Sequence, residues 1–220
     1  MMLADHGADV LKIERPEAGD DARRMPPFIE GESAPFLVWN RNKRSVELDL
    51  KSVEGKAKLL DLVDGADILI ENMRPGVMDK LGLGYATLGK RNPRLIYAAI
   101  SGFGQTGPYA NRDGFDLIAQ GMSGLISTNG PVDGPPYRLP IAISDVAAGM
   151  FLAFGIWLPP SRATSRDAGR WSKRRFWRRR SRSASTRPRT ARRIGRGPTG
   201  SAKCTAAARR TNASRRLMAI

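Results

Sequence analysis

The feature that most limits what this chain can fold into is a break in composition near Ile156. Residues 1–156 carry 17 Lys+Arg and 20 Asp+Glu, a net charge of −3. Residues 157–220 carry 20 Lys+Arg against one acid, Asp167, a net of +19. The formal charge of +16 over 220 residues therefore belongs to the last third of the chain. Spread evenly, that charge would suggest a protein that binds nucleic acid or a membrane surface. Confined to one segment, it describes an ordinary acid-balanced domain joined to a basic tail.

The first segment has the length for one hydrophobic core and a pattern of strands alternating with helices. Val10–Glu14 reads as a short strand after the turn residues 6–9, and residues 15–34 read as a long loop rich in Pro, Gly and charge. Residues 45–50 alternate with period two as a half-buried strand, and Ser52 is placed to cap a helix through 63. Residues 67–71 form a further strand, and Asn72-Met73-Arg74-Pro75-Gly76 leaves its C-terminal end. Pro75 suits the first turn of the next helix. Residues 95–100 form a buried strand that opens into the glycine-rich loop 101–108. Helices are expected over 116–125 and 146–156, the second preceded by Ile141-Ala142-Ile143-Ser144-Asp145. This alternation predicts an α/β fold with a mainly parallel sheet. Ligands of such sheets gather at the C-terminal strand ends, here the loops starting at 15, 72 and 101.

Several chemistries lose their residues. The single cysteine, Cys204, allows neither an internal disulfide nor a thiolate metal site, and no metal is expected. His6 is the one histidine. No apolar run approaches the roughly 20 residues of a membrane span, and residues 1–20 lack a signal-peptide pattern. A cytoplasmic enzyme is the expectation, without membrane contact.

Past Ile156 the hydrophobic periodicity stops. Eighteen of the 20 basic residues in 157–220 are Arg, among many Ser, Thr, Pro and Ala, the bias that out-of-frame reading of a GC-rich gene gives. One shifted frame can spell TGRGQVVETSLLEAA over 165–184 and RLGEVHRGSAPYQ over 199–214. Residues 157–220 are accordingly expected to be a frameshifted, disordered or poorly packed basic tail. Two alternatives stand beside this: a basic arm that binds nucleic acid through phosphates, with Trp171, Phe176 and Trp177 stacking on bases, and a solvated tail without a partner.

Residues 1–156 resemble the class III coenzyme A transferases of the CaiB/BaiF type, the superfamily that includes formyl-CoA and carnitine CoA-transferases and alpha-methylacyl-CoA racemase. The resemblance rests on LADHGADVLKIERP at 3–16, NRNKRSVELDLK at 40–51, ENMRPGVMDKLGLGY at 71–85, SGFGQTGP at 101–108 and SDVAAGMFLAFGI at 144–156, in that order. It implies a Rossmann-like large domain of which 1–156 is an incomplete part, and two chains interlocked as a homodimer. The opening strand, the small domain and the glycine-rich loop over the active site are expected to be missing. The chain as written is therefore expected to lack activity.

The same resemblance implies an acyl-CoA:carboxylate CoA-transferase whose substrates are acyl-CoA and a small carboxylic acid. Asp145 is the implied nucleophile. Its carboxylate would attack the thioester, giving an aspartyl-acyl anhydride and then an aspartyl-CoA thioester. A place just before a helix is expected to keep its pKa low; position alone favours a plain N-cap for Asp145, and the resemblance reverses that preference. Arg15, Asn72, Met73, Arg74 and Lys80 match CoA-binding positions, with Arg and Lys suited to phosphates and Met73 to the adenine. Surface charge and core filling are the plain alternatives for these residues. Ser101, Gly102, Phe103 and Gly104 would let backbone approach the ligand closely; Ser101 and Phe103 stand where some relatives have lysine and tyrosine, which argues against oxalate or formate. Phe115 stands where the racemase branch has its acid/base histidine, and a phenyl ring moves no proton. Transferase is thus favoured over acyl-CoA racemase. Phe36, Trp39, Asn40, Arg41, Lys43 and Arg44 form a basic, aromatic stretch placed beside the CoA cleft, and binding of nucleic acid is not expected from it.

Overall fold

The structure, a computed structural model, describes residues 1–157, 171–175 and 215–220. Strand β1 (Asp9–Glu14) follows the short helix α1 (Met2–Asp5), from which the chain turns at Gly7 with φ of 89°. The stretch 15–34, expected as one loop, holds a 3-10 turn at Asp21–Arg24 and a hairpin of β2 (Phe28–Ile29) and β3 (Glu32–Ser33). The hairpin turns through Glu30 and Gly31, at φ of 51° and 86°, the positive pair that a two-residue hairpin loop requires. Ser33 Oγ accepts the Phe36 N–H and starts α2 (Ala34–Asn40).

Strand β4 (Lys43–Glu47) begins two residues before its expected start, straight after Asn42 turns at φ of 61°. The cap at Ser52 is where the sequence places it: its Oγ accepts the Gly55 N–H at 2.9 Å and opens α3 (Val53–Asp64). Gly55 has no alternative there, because a Cβ would stand 2.0 Å from the Asp49 carbonyl oxygen. β5 (Ile68–Glu71) leads to Gly76, and two short helices follow, α4 (Val77–Lys80) and α5 (Tyr85–Arg91). β6 (Ile96–Ser101) precedes α6 (Asp116–Met122) and α7 (Ile143–Trp157). Helix α7 starts three residues earlier than expected, so Asp145 lies inside its first turn.

β7 (Trp171–Arg175) and β8 (Arg216–Ala219) complete a six-stranded sheet of order β4-β1-β8-β5-β6-β7, with every paired strand parallel. The expected mainly parallel α/β fold is thus present. Both β7 and β8 fall in the segment expected to be disordered, which departs from that expectation for these nine residues. For β8 the reason is physical: Leu217-Met218-Ala219-Ile220 is an apolar run, and β1 and β5 present backbone groups that need partners. Residues 158–170 and 176–214, and with them the rest of the expected tail, lie outside the described residues.

Both faces of the sheet are covered, as a parallel sheet demands. On one face Leu59 and Val63 of α3 and Leu88 of α5 pack with Ile13, Leu69, Tyr97 and Met218. On the other, Leu152 and Ile156 of α7 and Ala4 of α1 pack with Val10, Ile68, Ala98 and Leu217. Asn92, only 6% exposed, closes the first core by donating from Nδ2 to the carbonyls of Val63 and Ala66, both at 2.8 Å. The outward side of α7 keeps Val146, Met150, Phe151, Phe154 and Trp157 exposed, beside Leu117 and Ile118 of α6.

Candidate active site

The loops after β1, β5 and β6 leave the same edge of the sheet because the strands are parallel. The strand order runs outward on both sides of β8, through β1 to β4 and through β5 to β6. Such a reversal point is where open α/β sheets bind ligands. Beside it lies a cleft of about 370 Å³ lined by residues 72–75, 100–102 and 112–115 with Asp145 and Ala148.

Two glycines bring its walls together. A Cβ on Gly102 would stand 2.2 Å from the Cα of Gly114, and one on Gly114 would stand 2.1 Å from the Cα of Gly102. The backbone after β6 therefore touches the backbone that starts α6, and Phe115 is held at the cleft. Asn72 Nδ2 donates to the Ile100 carbonyl at 2.9 Å and ties the loop after β5 to β6. Arg74 reaches across to Asp113 at 3.0 Å. Ser101 Oγ is buried with no hydrogen-bond partner among the described residues.

Asp145 does not cap its own helix. The carboxylate of Asp116 accepts the Ser144 N–H at 2.9 Å through Oδ1, and Gln120 Nε2 donates to its Oδ2 at 2.7 Å. Gln120 is fully buried; its Oε1 accepts the Leu139 N–H at 2.9 Å, and its Nε2 also reaches the Ile141 carbonyl at 3.3 Å. The low pKa expected for Asp145 is corrected: partial burial first, and then the negative charge of Asp116, push it up. The expectation rested on the helix end alone and left out the acid that occupies that end.

Six of the proposed site residues meet in this cleft: Asn72, Met73, Arg74, Ser101, Gly102 and Asp145. Arg15, Lys80, Phe103 and Gly104 do not line it. Arg15 is exposed on the loop after β1 and paired with Asp21 at 2.7 Å. Lys80 is exposed at the end of α4. Phe103 packs edge-on against Tyr109, ring centroids 5.6 Å apart, and Gly104 is buried at φ of 82°. Of the basic, aromatic stretch, Arg41 pairs with Asp5, Arg44 with Asp9, and Lys43 donates to Asn40.

Sequence reasoning missed Arg112, which lines the cleft with its guanidinium 4.4 Å from the centre of the Tyr109 ring. A lone arginine before Asp-Gly-Phe-Asp gives no local signal. A second omission is Glu71, at the end of β5, only 3% exposed and pushed up to about 6 by burial. It accepts the Met73 N–H at 2.7 Å and so shapes the loop that carries Asn72 and Arg74. Among the described residues no group of His, Cys, Asp and Glu is arranged to hold a metal, and no helix is long and apolar enough to cross a membrane.

Known proteins share this framework. The sequence pattern of CoA-transferase family III matches residues 1–169. The mouse succinyl-CoA:glutarate CoA-transferase is 46% identical over 156 residues, covering 70% of this chain and 36% of its own length. The succinate–glutarate CoA-transferase of Agrobacterium fabrum is 49% identical over 157 residues, covering 68% of this chain and 39% of its own. The crystal structure of a CaiB/BaiF family protein from Brucella suis superimposes with a TM-score of 0.74 at 39% identity, covering 79% of this chain and 47% of that one. The chain thus spans well under half the length of the curated relatives it matches. Pattern and fold agree, and the chain belongs to CoA-transferase family III.

Proposed function

We propose that this chain is the N-terminal part of an acyl-CoA:carboxylate CoA-transferase, a partial large domain over 1–156, with Asp145 as the acyl-accepting carboxylate. The observation that carries the reading is that Asp145 shares one cleft with the loops after β5 and β6, at the C-terminal edge of a parallel sheet.

In the first step a carboxylate oxygen of Asp145 attacks the thioester carbonyl; the C–S bond breaks, giving the aspartyl-acyl anhydride and CoA thiolate. The thiolate then attacks the aspartyl carbonyl, forming the aspartyl-CoA thioester and releasing the donor acid. The acceptor carboxylate repeats the sequence in reverse, and its acyl-CoA leaves with Asp145 regenerated. A carboxylate whose pKa is raised is the stronger nucleophile while ionised, and partial burial first, then the charge of Asp116, supplies that bias. Ser101 Oγ is free to donate to a ligand. Asn72, Met73, Arg74 and Gly102 would carry the CoA side of the cleft, with Arg15, Lys80, Phe103 and Gly104 further along the same edge. Arg112, without a carboxylate partner among the described residues, suits the small carboxylic acid. Relatives are named for succinate and glutarate, and a dicarboxylic acid of that class is our choice of acceptor. Phe115, 68% exposed at this cleft, offers no proton and disfavours a racemase.

The exposed apolar side of α6 and α7 supports a homodimer in the intact protein. We place the enzyme in the cytoplasm and attribute 157–220 to a shifted reading frame, which the nucleotide sequence across codon 156 tests. The chain as written should not turn over acyl-CoA. With the frame restored, Asp145→Ala should abolish transfer and leave CoA binding intact; retained transfer would remove Asp145 as nucleophile.

A further inference from the structure

Glu71 closes β5 with its side chain only 3% exposed. The next four residues, 72–75, line the cleft that holds Asp145, whereas Glu71 lines a separate cavity of about 430 Å³ with Asp79, Tyr85 and Tyr97. Arg74 and Pro75 line both, so the loop after β5 is the wall between cavity and cleft.

The buried carboxylate holds that wall from behind. Its Oε2 accepts the Met73 N–H at 2.7 Å, a bond two residues along the chain that fixes the turn out of the strand. On that turn Asn72 ties to the Ile100 carbonyl and Arg74 to Asp113. The other oxygen, Oε1, has a looser partner, the Tyr97 hydroxyl at 3.5 Å. A charged acceptor makes a bond roughly twice as strong as a neutral one, so the turn is held hardest while Glu71 is ionised.

The surroundings oppose that ionised form. Burial first, and last the charge of Asp79, push Glu71 up to about 6, against the bonds from Met73 and then Tyr97. The charged and titratable groups facing it are Asp79 from α4, Tyr85 from α5, Tyr97 from β6 and Arg74 from its own loop. Tyr97 is itself pushed up, by burial and then by Glu71 and Asp79, and remains a neutral donor. Arg74 is engaged by Asp113, and among the described residues no basic group pairs with Glu71.

We propose that Glu71 is a positioning residue for coenzyme A: through the Met73 N–H it sets the loop 72–75, and a proton taken up by Glu71 loosens the grip of Asn72 and Arg74 on the coenzyme. The identity of the ligand rests on the transferase reading; the coupling inside the loop does not. Linkage makes the effect reciprocal, so bound CoA favours the ionised carboxylate.

The test follows the full chain by carboxyl and amide NMR between about pH 5 and 8. In the unaltered chain the Met73 amide and the Asn72 side-chain amide should move with the same midpoint as the Glu71 carboxyl. In Glu71→Gln they should stay in place, and Tyr97→Phe should leave the coupling intact. By calorimetry, the unaltered chain should bind CoA about fivefold more tightly than Glu71→Gln at the alkaline end and equally at the acid end. The comparison cancels the titration of the coenzyme's own phosphates. Added CoA should move the Glu71 midpoint to lower pH. A Glu71 carboxyl that titrates while Met73 and Asn72 stay still overturns the proposal, and so does one pH dependence of CoA affinity shared by both chains. Should Glu71→Gln fail to fold, the titration of the unaltered chain decides alone. If the loop follows Glu71 but neither chain binds CoA at any pH, the positioning role stands and the transferase reading falls.

Discussion

Replacing Asp116 separates its two roles, helix cap and neighbouring charge. Asp116→Ala removes the acceptor of the Ser144 N–H and one of the partners of buried Gln120. Loss of an N-cap acceptor costs about 1 kcal/mol, and loss of a bond from a buried amide to a charged group adds about 1 kcal/mol while Gln120 keeps its contacts to Leu139 and Ile141. The sum, about 2 kcal/mol, is a sizeable part of a domain's usual stability of roughly 5–15 kcal/mol. Asp116→Asn keeps an oxygen for Ser144 and should cost about half as much, yet it removes the charge just as Ala does. Urea unfolding followed by far-UV circular dichroism measures the first effect, and carbon-13 carboxyl NMR measures the second. Both substitutions should lower the pKa of Asp145, because Asp116 is one of the two causes that raise it. A midpoint unchanged in Asp116→Ala, or an Asp145 titration that stays in place in both variants, would refute this account of how the acid is held.

Asn92→Leu strands the Ala66 carbonyl and leaves the Val63 carbonyl with the Ala66 N–H alone, which should cost about 1–3 kcal/mol, read from the urea midpoint. Gly102→Ala places a Cβ 2.2 Å from the Gly114 Cα; the loops must part, and the Asp145 carboxyl resonance should move while thermal stability falls. Stability should peak on the acid side of neutrality. Glu71 is raised from 4.5 to about 6 by burial, so its contribution is lost as pH rises from 4.5 to 6, about 2 kcal/mol in all. Glu14, lowered to about 2 by hydrogen bonds from Arg23 and then from Ser45 and Asp20, adds stability above its unfolded value that disappears as pH falls toward 2. The two slopes meet near pH 4.5, and Glu71→Gln should flatten the upper one; a stability profile that climbs steadily from pH 4 to 7 contradicts the burial of Glu71.

The strands at β1, β5 and β6 were legible because each is a short apolar run between turn residues, and the Ser52 cap because its partner is three residues away. What escaped was carried by distance along the chain. Asp116 caps a helix through a residue 28 positions later, so local reasoning assigned Asp145 a vacant helix end and the wrong direction of pKa. Arg15 and Lys80 were assigned to CoA by resemblance, and the structure puts both outside the cleft around Asp145, one paired with Asp21 and the other at the end of a short helix. β8 was hidden for two reasons: its three apolar residues, Leu217 to Ala219, follow an Arg-rich stretch, and both of its partner strands lie about 150 residues or more upstream. Composition averaged over 157–220 could not show that its last residues fit a gap in the sheet.

The outward side of α7 sets how this polypeptide behaves in bulk. Phe151 is 68% exposed, and Phe154 and Trp157 more than half exposed, in a row that water solvates poorly. Concentrating the chain should drive copies together through this row, with light scattering rising before any loss of helical signal, and Phe151→Glu with Phe154→Lys should postpone the onset. A preparation that stays monomeric when concentrated would mean that something already covers that helix.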